Sequence, residues 1–232
     1  MPVLLAIDSS TDSLAIALTG PGGARIFEGA GGAKASERVV PEALSLLAAA
    51  GLKLVDVDAV AFGRGPGAFT GLRTACAVAQ GLAFGAGKPV LPLDSLMLVA
   101  EDARLQAGAE LEGPLWVAMD ARMDEIYAAQ YVFEQGRWMV LDEPALYAPA
   151  ALIQRWGQPK AVAGSALRVF AQLGTCERSW PEEASRARAL ASLAGQAFAV
   201  GSLLDAAEAQ PLYVRDKVAL TTAERLAIGA KA

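Results

Sequence analysis

The sequence predicts an α/β protein with two lobes, each built around a mixed β-sheet. Two observations lead to this fold class. Short apolar runs alternate with longer helical patterns, and the order of elements that opens the first half is repeated in the second. A chain of 232 residues is long enough for one large domain or two small ones. We expect one lobe over residues 1–107 and another over 108–232, with a cleft between them and with a C-terminal segment that can pack back on the first lobe.

The first unit opens with three strands and a helix. Apolar runs predict strands at residues 3–7, 14–18 and 25–29, separated by a polar turn and a Gly/Pro turn. An apolar helical face predicts a helix at 36–50, with Ser36 as its N-cap and Gly51 just past its end. The unit is completed by a strand at 59–62, a helix at 70–86, a strand at 89–93 and a helix at 95–107.

The second unit begins in the same order. Its predicted elements are strands at 115–119, 126–133 and 138–141, a helix at 149–156, a strand at 160–163, and helices at 166–172 and 183–204. Two successive βββα units imply a duplicated domain with a cleft between the copies. This is the layout of the actin-like (ASKHA), ribonuclease-H-like nucleotide-binding folds, and the fold by itself does not define a function.

Composition excludes several classes of function. The formal charge is −5, so the chain lacks the basic surface expected of a protein that grips nucleic acid or an anionic membrane by itself. Histidine is absent, which removes Ser-His-Asp and Cys-His catalysis and every histidine-based metal motif. No metal site and no cofactor are predicted.

Cysteine usage and the N-terminus indicate a soluble, cytoplasmic protein. Cys76 and Cys176 lie far apart without a CxxC motif, and reduced, buried thiols are favoured over a disulfide. The first residues carry no positive n-region, and their apolar run is too short for a signal peptide.

The predicted helix at 70–86 is apolar nearly all round. Arg73, Thr74 and Gln80 are the only polar side chains between residues 72 and 86, so both sides of the helix should be covered. Small residues recur at helical spacing, at Ala75, Ala79, Ala83 and Ala86. Two alternatives remain open: the helix is enclosed between its own sheet and the helix at 36–50, or it forms a subunit interface.

The two predicted hairpin turns are the candidate nucleotide site. In actin-like ATPases a turn such as Asp8-Ser9-Ser10-Thr11 holds phosphate and orients Mg²⁺, although these residue types also favour an ordinary turn. The matching turn at 120–125 contains no glycine and adds two carboxylates beside Asp120, which disfavours a triphosphate. We therefore interpret Asp8, Ser9, Ser10, Thr11 and Asp120 as a vestigial nucleotide cleft. A nuclease in which Asp8 and Asp120 hold Mg²⁺ is a weaker alternative.

A glycine-rich segment lies between the strand at 59–62 and the following helix. Residues 63–68 match G-x-G-x-x-A, the pattern of a dinucleotide-binding turn. The segment follows the fourth strand rather than the first, and Pro66 has no N–H to donate to a pyrophosphate. A tight turn into the helix, with Thr70 as its cap, is favoured.

Several motifs together resemble one family. Residues 65–73 read Gly-Pro-Gly-Ala-Phe-Thr-Gly-Leu-Arg, and this stretch resembles the signature of the TsaB (YeaZ) family. The opening Leu-Ala-Ile-Asp-Ser-Ser-Thr at 5–11, the middle segment at 120–127 and Pro-Leu-Tyr-Val-Arg at 211–215 match the same family in the same order. Two departures are Ala35, where many members have histidine, and Asp124, where glycine is common.

The resemblance implies a non-catalytic subunit of the bacterial machinery that forms N6-threonylcarbamoyladenosine in tRNA beside the anticodon. Its implied partners are a TsaD-like catalytic subunit, a TsaE-like ATPase and, when alone, a second copy of itself, while tRNA is reached only through the complex. The expected partner surface lies on the helices at 36–50 and 70–86. Its predicted residues are Ser36, Val40, Leu44, Leu47, Phe69, Arg73, Ala75, Ala79 and Ala83. The alternative is an ATP-dependent kinase or ATPase of the same fold, acting on a small molecule.

Overall fold

The computed structural model describes residues 1–32, 35–108, 111–174 and 176–215. The strands are β1 (Leu4–Asp8), β2 (Ser13–Thr19), β3 (Arg25–Ala30), β4 (Ala59–Gly65), β5 (Val90–Asp94), β6 (Leu115–Asp120), β7 (Ile126–Glu134), β8 (Arg137–Tyr147), β9 (Ala161–Ala163) and β10 (Arg178–Trp180). The helices are α1 (Ala35–Ala49), α2 (Phe69–Ala86), α3 (Ser95–Ala107), α4 (Pro149–Trp156), α5 (Ala166–Val169) and α6 (Arg186–Ala199).

Two five-stranded sheets with the same topology confirm the predicted duplication. The first sheet has the order β3-β2-β1-β4-β5 and the second β8-β7-β6-β9-β10. In each sheet the first three strands of the unit pair antiparallel, and the remaining two continue the sheet in parallel. The short β10 was not predicted, and it gives the second sheet its fifth strand.

The helices lie in three layers around the two sheets. Helices α3 and α6 pack between the sheets, α1 and α2 cover the outer face of the first sheet, and α4 and α5 cover that of the second. Strand β1 is buried along its whole length, as expected for the continuous apolar run of a central strand covered on both faces. The Tyr131 hydroxyl of β7 donates a hydrogen bond to the Asp94 carboxylate at the end of β5 (2.7 Å), which links the two sheets directly.

The last part of the chain returns to the first sheet. Helix α6 packs against β1, β2, β3 and β5 although it follows the second sheet in sequence. Beyond it, Leu204 pairs with Val90 of β5, and Ala206 and Ala209 are buried in the core beneath α2. Segments from both halves of the sequence therefore build the first lobe.

The first two helices begin earlier than predicted. Helix α1 begins at Ala35, so Ser36 lies within its first turn and the prediction of a Ser36 N-cap was wrong. Helix α2 begins at Phe69 with Ala68 as N-cap, so the prediction of a Thr70 cap was also wrong.

Helix α6 is shorter than predicted at both ends. It begins three residues later because Ser185 is the N-cap, with extended backbone and a side chain that accepts a hydrogen bond from the Arg188 N–H. The Asp102 carboxylate accepts hydrogen bonds from the backbone N–H groups of residues 184 and 185 just before it. It ends two residues before Gly201, whose left-handed backbone (φ 79°) stops the helix.

Neither cysteine forms a disulfide. Cys76 is buried and Cys176 is half-buried, and burial raises the pKa of both thiols. Within the described ranges, no helix combines the length and the apolar character that a membrane crossing requires.

Candidate functional site

A cavity of about 430 Å³ opens between the two lobes, where the β1–β2 and β6–β7 turns approach each other. The side chains of Asp12 and Arg122, one from each turn, form an ion pair across the opening (2.8 Å). Both are largely exposed, so this contact contributes little to stability. It nevertheless demonstrates that the two predicted turns face each other.

Asp8 lies below the cavity and is paired with an arginine, Arg186, that no sequence pattern indicated. Its carboxylate is fully buried and contacts the Nε of Arg186 at 2.6 Å. Arg186, only 4% exposed, also contacts Glu183 (2.7 Å), the Ser10 hydroxyl (2.8 Å) and the Ser95 carbonyl (3.2 Å). Burial by itself would lower the pKa of Arg186, but pairing with Asp8 and Glu183 outweighs burial and raises that pKa.

This arrangement does not fit a magnesium nucleotide. In such a site the first-strand aspartate must be available to a hydrated cation, whereas here a guanidinium already neutralises it. Asp120, the second carboxylate considered for Mg²⁺, accepts a hydrogen bond from the Arg122 backbone N–H (2.9 Å) and pairs with its side chain (3.2 Å). Across the described ranges, no group of three or more cysteine, aspartate or glutamate side chains is arranged to hold a metal ion.

The turn after β1 is also covered by the glycine-rich segment that leads into α2. The backbone N–H of Ala68 donates to the carbonyl of Ser10 (2.7 Å), and the Ser9 hydroxyl donates to the carbonyl of Gly71 (2.8 Å). A Cβ at Gly71 would overlap the Ser9 carbonyl oxygen, and one at Gly67 would overlap Ser10. Gly67 and Gly71 are therefore needed because this segment packs directly on the turn, which buries Ser9 and Ser10 and leaves Thr11 near the surface.

The β6–β7 turn has an unusual backbone. Arg122, Met123 and Asp124 all have positive φ, at 61°, 58° and 57°. Non-glycine residues rarely adopt this conformation, and three in succession require support from the surrounding structure. Arg215 supplies it, since one terminal nitrogen contacts the carbonyls of residues 121 and 122 (3.0 and 3.3 Å) and the Glu125 carboxylate (2.7 Å).

Residues 209–215, here called the strap, run along the cleft from the first lobe to the second. At one end the Leu212 N–H donates to the carbonyl of Arg64 (2.7 Å), and at the other Arg215 holds the β6–β7 turn. Between them the Tyr213 hydroxyl accepts a hydrogen bond from the Nε of Arg73 (2.9 Å). The strap thereby joins three motifs that are separate in sequence, and no periodicity in the sequence could have indicated these contacts.

The second predicted site, on α1 and α2, divides into a buried and an exposed face. Leu47, Ala75, Ala79 and Ala83 are 0–2% exposed and belong to the core between these helices and the first sheet. Their assignment to a partner surface was therefore wrong, because the sheet of the same chain already covers them. Ser36 and Arg73 are exposed, Leu44 is 46% exposed, and Val40 and Phe69 are half-buried.

The exposed face of α2 is nevertheless poor in polar groups. Phe84 is 78% exposed, and Ala77, Gly81 and Gly85 form a second small-residue stripe open to solvent. Added Cβ atoms at Gly81 and Gly85 would meet nothing within 4 Å. We use the term outer face for the exposed side chains of α1 and α2 around Leu44, Ala77, Gly81 and Phe84.

The duplicated sheets and the facing turns define a two-lobed protein of the actin-like, ribonuclease-H-like class, with an arginine at the base of its cleft. The sequence model of the TsaD family, described as tRNA N6-adenosine threonylcarbamoyltransferase, matches residues 32–230. The chain is 32% identical to the "tRNA threonylcarbamoyladenosine biosynthesis protein TsaB" of Escherichia coli, over 93% of this chain and 96% of that protein. The protein of the same name from Haemophilus influenzae is also 32% identical, over 93% and 94% of the two chains.

Solved structures agree with these sequence matches. A crystal structure of an uncharacterized Pseudomonas aeruginosa protein with similarity to peptidase YEAZ superposes with a TM-score of 0.83 at 36% identity, covering 93% of this chain and 100% of that one. YeaZ from Pseudomonas aeruginosa gives a TM-score of 0.79 at 34% identity, covering 92% and 100%. The chain belongs to the TsaB (YeaZ) family.

Proposed function

We propose that this chain is a non-catalytic subunit that binds and activates a TsaD-type transferase in the formation of N6-threonylcarbamoyladenosine in tRNA. The names of its Escherichia coli and Haemophilus influenzae relatives support the pathway. The observation that carries the binding role is the outer face of α1 and α2. A TsaE-type ATPase joins the same assembly, and tRNA is contacted chiefly by the other subunits because this chain has a net charge of −5.

The cleft supports a role without chemistry. Catalysis of phosphoryl transfer depends on cations and N–H donors directed at the phosphate groups and on carboxylates that hold the metal. Here Asp8 is neutralised by Arg186, and the Ser9 and Ser10 groups are engaged by the glycine-rich segment. The kinase or ATPase alternative would require this network to open.

The outer face has the character of a subunit interface. Phe84 and Leu44 supply exposed apolar area, while Ala77 and Gly81 permit close approach of a second helix. A standard interface buries about 800 Å² on each partner, which a pair of helices of this length can largely provide. In the absence of the transferase, a second copy of this chain occupies the same face and forms a homodimer.

The test uses an Ala77→Glu substitution. Ala77 is exposed, so the variant should fold normally, and burial of the new carboxylate against the partner should weaken binding by about a hundredfold or more. Affinity for the TsaD-type transferase is measured by calorimetry, self-association by light scattering, and modification by reconstitution with tRNA and the other subunits.

Ala151→Glu, on the exposed side of α4, is the matched control and should leave all three measurements unchanged. Thermal unfolding of both variants establishes that they are folded. A folded Ala77→Glu protein that binds the transferase as tightly as the wild type would contradict the proposal. ATP turnover by the isolated chain that disappears with Asp8→Ala would instead favour the kinase or ATPase alternative.

A further inference from the structure

Arg73 is held in one orientation by two aromatic side chains. Its guanidinium lies over the ring of Phe69, with 3.9 Å between the guanidinium carbon and the ring centroid. Its Nε donates a hydrogen bond to the Tyr213 hydroxyl at 2.9 Å, and the Phe69 and Tyr213 rings are themselves 5.2 Å apart. An exposed arginine normally samples many rotamers, but this one is positioned by contacts from α2 and from the strap.

This positioned cation lacks an ionic partner among the residues that the structure describes. Over those ranges, no carboxylate lies within ion-pair distance of Arg73, whereas Arg122, Arg186 and Arg215 of the cleft are each paired. The Tyr213 contact uses only the Nε, so among the described residues the donors of both terminal nitrogens have no acceptor and can bind one from outside. An arginine held in this way is suited to receive a carboxylate from another molecule.

A second copy of the chain offers little to pair with it. Helix α2 contains no aspartate or glutamate, so a symmetric contact between two α2 helices brings no carboxylate from α2 to Arg73. Of the two glutamates in α1, Glu42 is already paired with Arg38 at 2.9 Å, which leaves Glu37. Helices α1 and α2 of a second copy therefore offer Arg73 at most Glu37, whereas a different partner can present a carboxylate at the matching position.

We infer that Arg73 is a specificity contact: positioned by Phe69 and Tyr213, it pairs with a carboxylate of the transferase subunit and favours the heteromer over the homodimer. This inference rests on the proposed function, because it assumes that the α2 face binds that subunit. Tyr213 acts as a positioning residue, since it reaches the partner only through Arg73.

The experiment compares heteromer and homodimer affinities for Arg73→Gln and Tyr213→Phe. Arg73→Gln should weaken binding of the TsaD-type transferase by about tenfold and reduce its salt dependence, while self-association stays within about twofold of the wild type. Tyr213→Phe keeps the ring but removes the acceptor, so it should weaken the heteromer by a smaller factor. In an Arg73→Gln background, Tyr213→Phe should have no further effect on the heteromer.

Two further variants serve as controls. Arg137→Gln, at the exposed start of β8 in the second sheet, removes an equal charge from the other lobe and should change neither affinity. Glu37→Gln should leave self-association unchanged, whereas a weaker homodimer would mean that Arg73 pairs with this residue of a second copy and would overturn the inference.

Unchanged heteromer affinity in Arg73→Gln, or an equal weakening of heteromer and homodimer, would overturn the inference while leaving the proposed function intact. Failure of the wild-type chain to bind the transferase at all would overturn both. The outcomes are therefore distinguishable.

Discussion

Replacing Arg186 by methionine tests how much its buried ion pair with Asp8 stabilises the folded protein. Methionine approximates the aliphatic length of arginine, so the substitution removes the charge and the hydrogen bonds while largely keeping the packing volume. Asp8 then remains buried with only Ser10 and Ser95 as partners among the described residues. The charge of Asp8 is then no longer compensated, and Glu183, whose side chain is 22% exposed, also loses its ion pair.

The expected cost follows from the burial of both side chains. Asp8 is fully buried and Arg186 is 4% exposed, so solvent cannot replace the missing cation. Removing one member of a buried pair typically costs about 3–5 kcal/mol, because the remaining charge stays in a poorly solvated site. We expect the free energy of unfolding to fall by this amount.

The assay is urea denaturation followed by circular dichroism, with Arg188→Met as control because that neighbouring arginine is exposed on the same helix. An Asp8→Asn/Arg186→Met double variant removes the charges of Asp8 and Arg186 and should recover part of the lost stability, because Glu183 remains unpaired. A decrease below about 1 kcal/mol, or no recovery in the double variant, would refute the reasoning that an uncompensated charge on Asp8 causes the instability.

Two further predictions concern stability. Gly71→Ala should destabilise the protein by about 2 kcal/mol or more, because the new Cβ would overlap the Ser9 carbonyl. Gly81→Ala, on the open side of the same helix, should stabilise it by about 0.5–1 kcal/mol. Equal effects of the two substitutions on thermal unfolding would contradict the packing of Gly71 on the turn. Glu101 is buried, which tends to raise its pKa, but hydrogen bonds from Arg104, Ser192 and Trp138 outweigh burial and lower that pKa. Its stabilising contribution should therefore be complete above its unfolded value of about 4.3 and be lost as pH falls through the lower folded pKa. Glu101→Gln should cost about 2 kcal/mol at neutral pH and less in acid, and a pH-independent difference from the wild type would contradict this assignment.

The sequence by itself determined the elements and their order. The continuous apolar run of β1 and the repeated βββα order depend on local patterns, and each strand or helix they predict is present with shifts at its ends. The short β10 escaped prediction because three residues carry too little periodicity. Gly67 and Gly71 were recognisable as part of a motif. The sequence did not reveal why glycine is needed there, namely that the carbonyls of Ser10 and Ser9 leave no room for a Cβ.

Only the tertiary structure decided which face of α2 is buried and what neutralises Asp8. Helix α2 carries small residues both at 75, 79 and 83 and at 77, 81 and 85, so its pattern could not distinguish an inner from an outer face. Contacts of Gly71 with the turn after β1 orient the helix and place the small residues at 75, 79 and 83 against the first sheet. Asp8 and Arg186 are separated by 178 positions, and only the return of α6 to the first sheet brings them together. Pairings of this kind depend on the packing of distant segments, which local sequence patterns do not encode.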